Sequence, residues 1–327
     1  MSLPTARVNL GISYGPESAL YSFPGGHPMN NGRTRLFEES IAAMAEDARE
    51  GPTRDLAVIT PKKATKEDLR LFHTEEYIDF VIESSRSGEG YLDFPDTPSF
   101  PGVYEASLYT VGSTLYGLDA VLQGKFRHFF NPVGGLHHAA RNRASGFCVF
   151  DDAAIAISRA LQQDGITKVA YVDIDAHHGD GVFYGFESDP RVIIADVHED
   201  GRSLFPGTGD ASETGKGAAA GTKLNLPLSP GSGDAEFIKA FDRAYKFLLG
   251  FEPEFIFLQC GADGLRGDPL THLQYSSGAH GYAAKRLHQL AHDICEGHIL
   301  AMGGGGYDAR NVDAAWSAVA RELSGCS

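Results

Sequence analysis

The stretch Val169–Val182 reads VAYVDIDAHHGDGV. It opens on apolar and aromatic residues with no polar alternation, the pattern of a strand covered on both faces. It closes on Asp173, Asp175, His177, His178 and Asp180, followed by glycine. A doubly covered strand that runs out into ionisable residues is what a parallel sheet presents at its carboxyl edge, where ligands bind in open α/β folds. The reading predicts a strand over Val169–Asp175.

Working outward, similar β-branched and aromatic runs predict strands at Val8–Tyr14, Phe126–Asn131, Val192–His198, Phe255–Cys260 and His298–Met302. Helical periodicity lies between them, at Arg33–Arg49, Tyr104–Leu122, Asp234–Leu249, Ser277–Cys295 and Val312–Leu323. Asp151 and Asp152 can cap a further helix that runs through Ile155, Ile157 and Leu161 and stops by Gly165. The stretches Gly51–Asp68, Gly88–Gly102 and Gly201–Ala220 are rich in Pro, Gly, Ser and charge, and read as long loops. Strand and helix alternate, which predicts an α/β fold with a mostly parallel sheet and helices on both faces. No linker composition interrupts the chain, so residues 1–327 are expected to form one domain.

The residues suited to chemistry fall just after predicted strands. His137 and His138 follow one, in NPVGGLHHAARNRASGF. Asp263 follows another, in QCGADGLRGDP, and Gly303–Tyr307 a third, in AMGGGGYD. Asp175 and His177 stand two apart, so on extended chain both can reach one ion, and Asp263 can supply a third donor from a nearby strand end. Two carboxylates and an imidazole suit Zn²⁺, with Fe²⁺ or Co²⁺ also compatible, and three protein ligands leave a coordination position open, as catalytic sites do. Adjacent imidazoles at His137 and His138 suit a general base and acid near neutral pH, with Asp173 and Asp180 available to fix their tautomers. Tyr307, after four glycines, can offer a phenol O–H to a developing oxyanion. The bland alternatives are that the aspartates cap turns, that His178 is a core histidine, and that His27, Arg33 and Arg35 form an ordinary capped helix start. Cys148 has no flanking base, which argues against a thiolate nucleophile. No GxGxxG or GKS/T pattern supports a nucleotide site.

Composition narrows the partners. Of 327 residues, 28 are Lys or Arg and 43 are Asp or Glu, a formal net charge of −15. Such a surface repels phosphate backbones and argues against nucleic acid as a partner, while favouring amine-bearing ligands. Four cysteines, Cys148, Cys260, Cys295 and Cys326, form no CxxC pair. That pattern fits a reducing compartment, and with no signal-peptide pattern in MSLPTARVNLGISYG and no long apolar run it points to a cytoplasmic location without a membrane partner. A homo-oligomer stays open.

The combination of strings resembles the zinc-dependent histone deacetylase superfamily, which includes bacterial acetoin-utilisation proteins and acetylpolyamine amidohydrolases. The strings are GHPMNNGRTR, GGLHHAARNRASGFCVFDD, YVDIDAHHGDGV, LFPGTGD, QCGADGLRGDP and GGGGY, in the family's order from about Gly25 to Tyr307. The resemblance implies an arginase-like α/β fold and one catalytic Zn²⁺ on Asp175, His177 and Asp263. It implies active-site histidines at His137 and His138 with Asp173 and Asp180 as partners, and an oxyanion-stabilising Tyr307. Acyl-channel aromatics fall on Phe147 and Phe205 beside Gly146, with Leu270 at the rim, Asp96 on the substrate-gripping loop and an internal-cavity arginine at Arg33. A structural K⁺ would use Asp173, Asp175, His177, Asp196 and Val197, although position 196 is Asp where related proteins commonly carry Ser.

The activity so implied is hydrolysis of an N-acyl amide, with an acylated lysine or small amine as partner. Three alternatives stand beside it. An acetylpolyamine amidohydrolase shares the superfamily. A binuclear manganese ureohydrolase needs Asp-x-His-x-Asp, and Gly179 stands where the last aspartate would be. A catalytically inactive metal- or acyl-binding module would not need the full set of six site residues.

Overall fold

The computed structural model describes residues 8–50 and 55–325. The first seven residues, the start of the predicted loop at 51–54, and Cys326 lie outside them. Ten strands alternate with nine helices among the described residues. The strands are β1 Val8–Ser13, β2 Leu56–Ile59, β3 Tyr91–Asp93, β4 Thr97–Pro98, β5 Phe126–Asn131, β6 Val169–Asp173, β7 Val192–Glu199, β8 Lys223–Leu228, β9 Phe255–Gln259 and β10 Ile299–Met302. The helices are α1 Arg35–Glu50, α2 Lys66–Leu69, α3 Glu75–Ser87, α4 Val103–Leu122, α5 Asp152–Ala160, α6 Asp180–Gly185, α7 Asp234–Leu249, α8 Ser277–Ile294 and α9 Ala309–Ser324.

Eight strands form one sheet in the order β2-β1-β5-β10-β9-β6-β7-β8, and every pairing in it is parallel. β6, β7, β9 and β10 are buried end to end, because parallel strands carry helices on both faces. Two apolar clusters follow, one on each side of the sheet. One gathers α3, α4 and α5 around Phe129, Phe150 and Tyr171. The other gathers α1, α7, α8 and α9 around Phe130, Phe241 and Trp316.

The register levels the strand ends. Asn131 pairs with Met302, Met302 with Gln259, Gln259 with Asp173, and Asp173 with Asp196. Four neighbouring strands, β5, β10, β9 and β6, therefore stop along one line, and the loops leaving them converge.

The sequence reading differs from the structure at identifiable places. The two sheet strands it lacks, β2 and β8, are the two edges. Edge strands are covered on fewer sides, so their sequences need no continuous apolar run. β2 lies inside the predicted loop Gly51–Asp68, together with α2. β8 contains Pro227, which an edge tolerates. The predicted loop Gly88–Gly102 holds the small antiparallel pair β3–β4. α3 is absent from the sequence reading, although its Thr74 cap and left-handed Gly88 stop are ordinary signals. Asp151 alone caps α5, accepting from the Ala154 N–H at 2.7 Å. Asp152 instead accepts the Gly135 and Leu136 N–H groups at 3.0 and 2.9 Å, and so holds the loop that carries the two histidines. β6 stops at Asp173, so Asp175 and His177 are brought together by a turn rather than by strand alternation.

Candidate active site

Asp175, His177 and Asp263 are buried together, with one donor atom from each within 4.8 Å of the others. His177 Nδ1 lies 3.1 Å from Asp175 Oδ1 and 2.9 Å from Asp263 Oδ2. The remaining carboxylate lone pairs are tied to the scaffold. Asp175 accepts from Gly305 N–H and from Gln259 Nε2, both at 2.8 Å, and from His177 N–H at 3.0 Å. Asp263 Oδ1 accepts from Ala176 N–H at 2.9 Å. Glycine is required by proximity here. A Cβ at Gly305 would fall 2.2 Å from Asp263 Oδ2, and one at Gly261 would fall 1.9 Å from Asp175 Oδ2.

These three residues fit a divalent cation. Three lone-pair donors at such separations repel one another unless positive charge lies between them. Burial works against a charged His177, yet Asp175 and Asp263 outweigh it and raise its pKa to about 10. The same negative field would attract a metal ion.

The two adjacent histidines form a chain of hydrogen-bonded groups. His137 Nδ1 is 2.8 Å from Asp173 Oδ2, His138 Nδ1 is 2.6 Å from Asp180 Oδ1, and the two Nε2 atoms are 3.1 Å apart. Burial disfavours charge on both. It lowers His138 to about 4 together with the charge of His137, but on His137 it is outweighed by Asp173 and Asp175, which raise that pKa to about 10. The order of the two pKa values selects the proton arrangement along these contacts. A charged His137 donates to Asp173 and to His138 Nε2, while a neutral His138 donates to Asp180. A pair of like groups with opposed pKa values divides into acid and base.

Tyr307 follows the glycine run in the loop after β10. Burial, and then the charges of Asp263 and Asp175, push its phenol well above the ordinary value, so it remains a donor at neutral pH. Its N–H donates to Asp268 Oδ2 at 2.8 Å. The buried Arg33 donates from Nε to the Gly306 carbonyl at 3.2 Å and from its terminal nitrogens to the Gly304 carbonyl, and its guanidinium lies 5.9 Å from the Tyr307 ring centre. Arg33 is thus a brace for the tyrosine loop rather than part of a solvated helix start.

His137, His138, Asp175, His177, Gly305 and Tyr307 line one cavity of about 10 Å³, together with Gly146, Cys148 and Met29. That volume is close to the minimum for one water molecule. At its mouth the ring of Phe205 sits 5.1 Å from that of His138, and Phe147 sits 5.9 Å from Tyr307. A Cβ at Gly146 would lie 2.5 Å from the His138 ring. Phe147 has φ 67°, a left-handed conformation that costs a non-glycine residue about 1–2 kcal/mol. The turn is held by Tyr21, whose O–H donates to the Phe147 carbonyl at 2.7 Å, and by the Phe147 N–H donating to Thr97 Oγ1 at 3.1 Å. Asp96 joins this side of the mouth through its carbonyl, 2.8 Å from His27 Nε2. Leu270 is half-buried beyond Asp268, to which its N–H donates. Asp196 accepts from Gly179 N–H at 2.9 Å and is 2.6 Å from His198 Nδ1.

The histone deacetylase domain family matches residues 27–323. The chain belongs to the histone deacetylase family. It is a hydrolase of the deacetylase type. It is 39% identical over 321 residues to the acetoin utilization protein AcuC of Bacillus subtilis, covering 95% of this chain and 81% of that one. It is 32% identical to the histone deacetylase RPD3 of Saccharomyces cerevisiae, covering 96% of this chain and 71% of the relative. Among solved structures, a histone deacetylase homologue in complex with SAHA superposes with a TM-score of 0.83 at 30% identity, covering 98% of this chain and 84% of that one.

Several groups of this histone deacetylase fold escape sequence reasoning. Gln259 donates to Asp175 and approaches His137 Nδ1 at 3.4 Å. Its only signal is a polar residue ending an apolar strand. Tyr171 O–H donates to Asp173 Oδ2 at 2.6 Å, with no signal at all in its apolar strand. His178 is a core histidine, its Nδ1 2.8 Å from Thr208 Oγ1, but its buried Nε2 has no hydrogen-bond partner, so it is not the satisfied one the bland reading expects. Cys148 is buried with a strongly raised pKa, consistent with its exclusion as a nucleophile.

Proposed function

We propose that the chain is a zinc-dependent hydrolase that removes acetyl, or another acyl group, from N-acyl-lysine-type amines. Asp175, His177 and Asp263 would hold the ion, and the observation that carries the reading is that two of them, Asp175 and His177, line one cavity with His137, His138 and Tyr307 while Asp263 stands within 4.8 Å of both. When bound, Zn²⁺ supplies Lewis-acid polarisation of the acyl carbonyl and acidifies water. The protein's own groups do the rest. Neutral His138, its tautomer fixed by Asp180, takes a proton from water at Nε2 once that atom gives up the His137 contact, and later returns it to the leaving amine. Charged His137, held by Asp173, keeps positive potential beside the reacting carbonyl. The Tyr307 O–H donates to the oxygen that becomes negative. Phe147 and Phe205, with Gly146 and Leu270, flank the acyl-bearing chain and exclude water, and Asp96 grips the substrate backbone. A K⁺ held by Asp173, Asp175, His177, Asp196 and Val197 belongs to the same reading, as do a one-domain chain and a cytoplasmic location. Among the described residues no helix is long and apolar enough to cross a membrane.

The binuclear reading is disfavoured because a single cluster of possible metal ligands stands at this edge among the described residues. The test is a panel of acetyl-lysine peptides, longer acyl-lysines and acetylputrescine, run on zinc-loaded enzyme with a chelator control. Turnover of acetyl-lysine peptide that chelation abolishes is the expected result. Preference for acetylputrescine would move the assignment to polyamines, and no turnover of any amide would overturn it.

A further inference from the structure

His128, His288 and His292 form a second cluster at the opposite edge of the sheet. His128 is the third residue of β5, level with Leu10 and Ile299 near the amino ends of their strands. His288 and His292 stand four apart on α8, one helical turn, and so project from the same face. One ring nitrogen from each lies within 4.8 Å of the others. The ring centres are 4.6 Å apart for His128 and His288, 5.3 Å for His128 and His292, and 4.7 Å for the helical pair.

Packing alone does not account for the residue at the centre. His128 is 1% exposed, and neither ring nitrogen has a hydrogen-bond partner. The Gly297 backbone lies near enough to favour its charged form slightly, but not in hydrogen-bond geometry. Buried polar groups are almost always satisfied, so an orphaned imidazole aimed at two others calls for an occupant. A phenylalanine or leucine would fill the same space without stranding two nitrogens.

We propose that His128, His288 and His292 bind a divalent first-row cation, separate from the catalytic centre, that fastens α8 to β5. Three imidazoles with a fourth position open to solvent are an established zinc geometry, and imidazole also suits Cu²⁺, Ni²⁺ and Co²⁺. The ligands need to be neutral, and they are. Burial, then the neighbouring histidines, lower His128 to about 3, and burial likewise lowers His288 and His292. Arg127 opposes any cation there and Asp293 favours one; both side chains are exposed, so salt weakens their influence. Closing the three nitrogens to ~3.4 Å around a metal, as Zn–N bonds of ~2.0–2.1 Å require, needs only rotamer adjustment of the half-buried His288 and exposed His292. Nothing in this proposal depends on what the catalytic cluster holds.

The test uses the full chain without a polyhistidine tag. Metal-free protein is loaded with Zn²⁺ near neutral pH, desalted, and its bound zinc counted for the unaltered chain and for H288A/H292A. Alanine at those helical positions preserves α8. The expected result is one ion fewer per chain in the variant, with unchanged hydrolysis. Equal zinc content overturns the site. A second measurement adds one equivalent of Cu²⁺ to H177A/D263A, where the catalytic cluster has lost its imidazole. Spin-resonance splitting from imidazole nitrogens that vanishes in H177A/D263A/H288A/H292A supports the site, and splitting that persists unchanged overturns it.

Discussion

The two ends of the sheet each gather three potential metal ligands, and they do so differently. At the carboxyl end Asp175, His177 and Asp263 are buried, and backbone N–H groups of Ala176, His177 and Gly305 hold the carboxylates in place. At the amino end neither ring nitrogen of His128 has a hydrogen-bond partner, His288 is half-buried against the Glu322 backbone, and His292 is exposed. The contrast follows from sheet geometry. Where parallel strands end, their loops turn with free N–H groups that donate to carboxylates, so anionic ligands can be buried and still be satisfied. Where the strands begin, a neutral imidazole is what the interior tolerates. Pre-organisation of this kind separates the proposed catalytic centre from the proposed clip between α8 and β5.

The sharpest way to break the comparison is to remove a ligand from each end. Asp263→Ala should abolish measurable amide hydrolysis, a loss at least as large as the ~10²–10⁴ expected for losing an acid–base group, while the double alanine on α8 leaves kcat/KM within about twofold. Steady-state assays at the same total zinc concentration decide this; equal losses at both ends would erase the distinction. Next in size, Tyr307→Phe should lower kcat by ~10²–10³ with zinc content unchanged, because the phenol acts only on the developing oxyanion. Near-normal turnover would remove Tyr307 from the mechanism. The smallest effect is on stability of the metal-free chain. His128 is lowered to about 3, so the unfolded chain binds its proton more readily, and stability is lost as pH falls from about 6.5 toward about 3. His177 is raised to about 10, so its contribution is present below about 6.5 and is lost as pH rises toward about 10. His128→Leu should therefore flatten the acid side of a plot of Tm against pH and leave the alkaline side alone. His73, His138 and His178, also lowered, keep part of the acid slope.

The site was more legible in the chain than the sheet edges were. Asp175, His177, Asp263, His137, His138 and Tyr307 all follow apolar strands, and that order alone sends them to one edge. The inner strands could be read because burial on both faces demands an uninterrupted apolar run. β2 and β8 could not, because an edge makes no such demand. Gln259 and Tyr171 were invisible as site residues for another reason: their partners, Asp175 and Asp173, become neighbours only through strand pairing and the turn after β6.

Local sequence thus determined that strands alternate with helices, that ionisable residues leave the strands on the carboxyl side, and which residue types were available there. Side-chain chemistry and strand periodicity are properties of neighbours along the chain, so they survive without the fold. Only the tertiary structure decided that His137 is pushed toward its charged form and His138 toward its neutral one, that Arg33 braces the tyrosine loop, and that His128 meets two histidines of a helix about 160 residues later. Those outcomes depend on burial and on distances across the sheet, which exist only once the chain has closed upon itself.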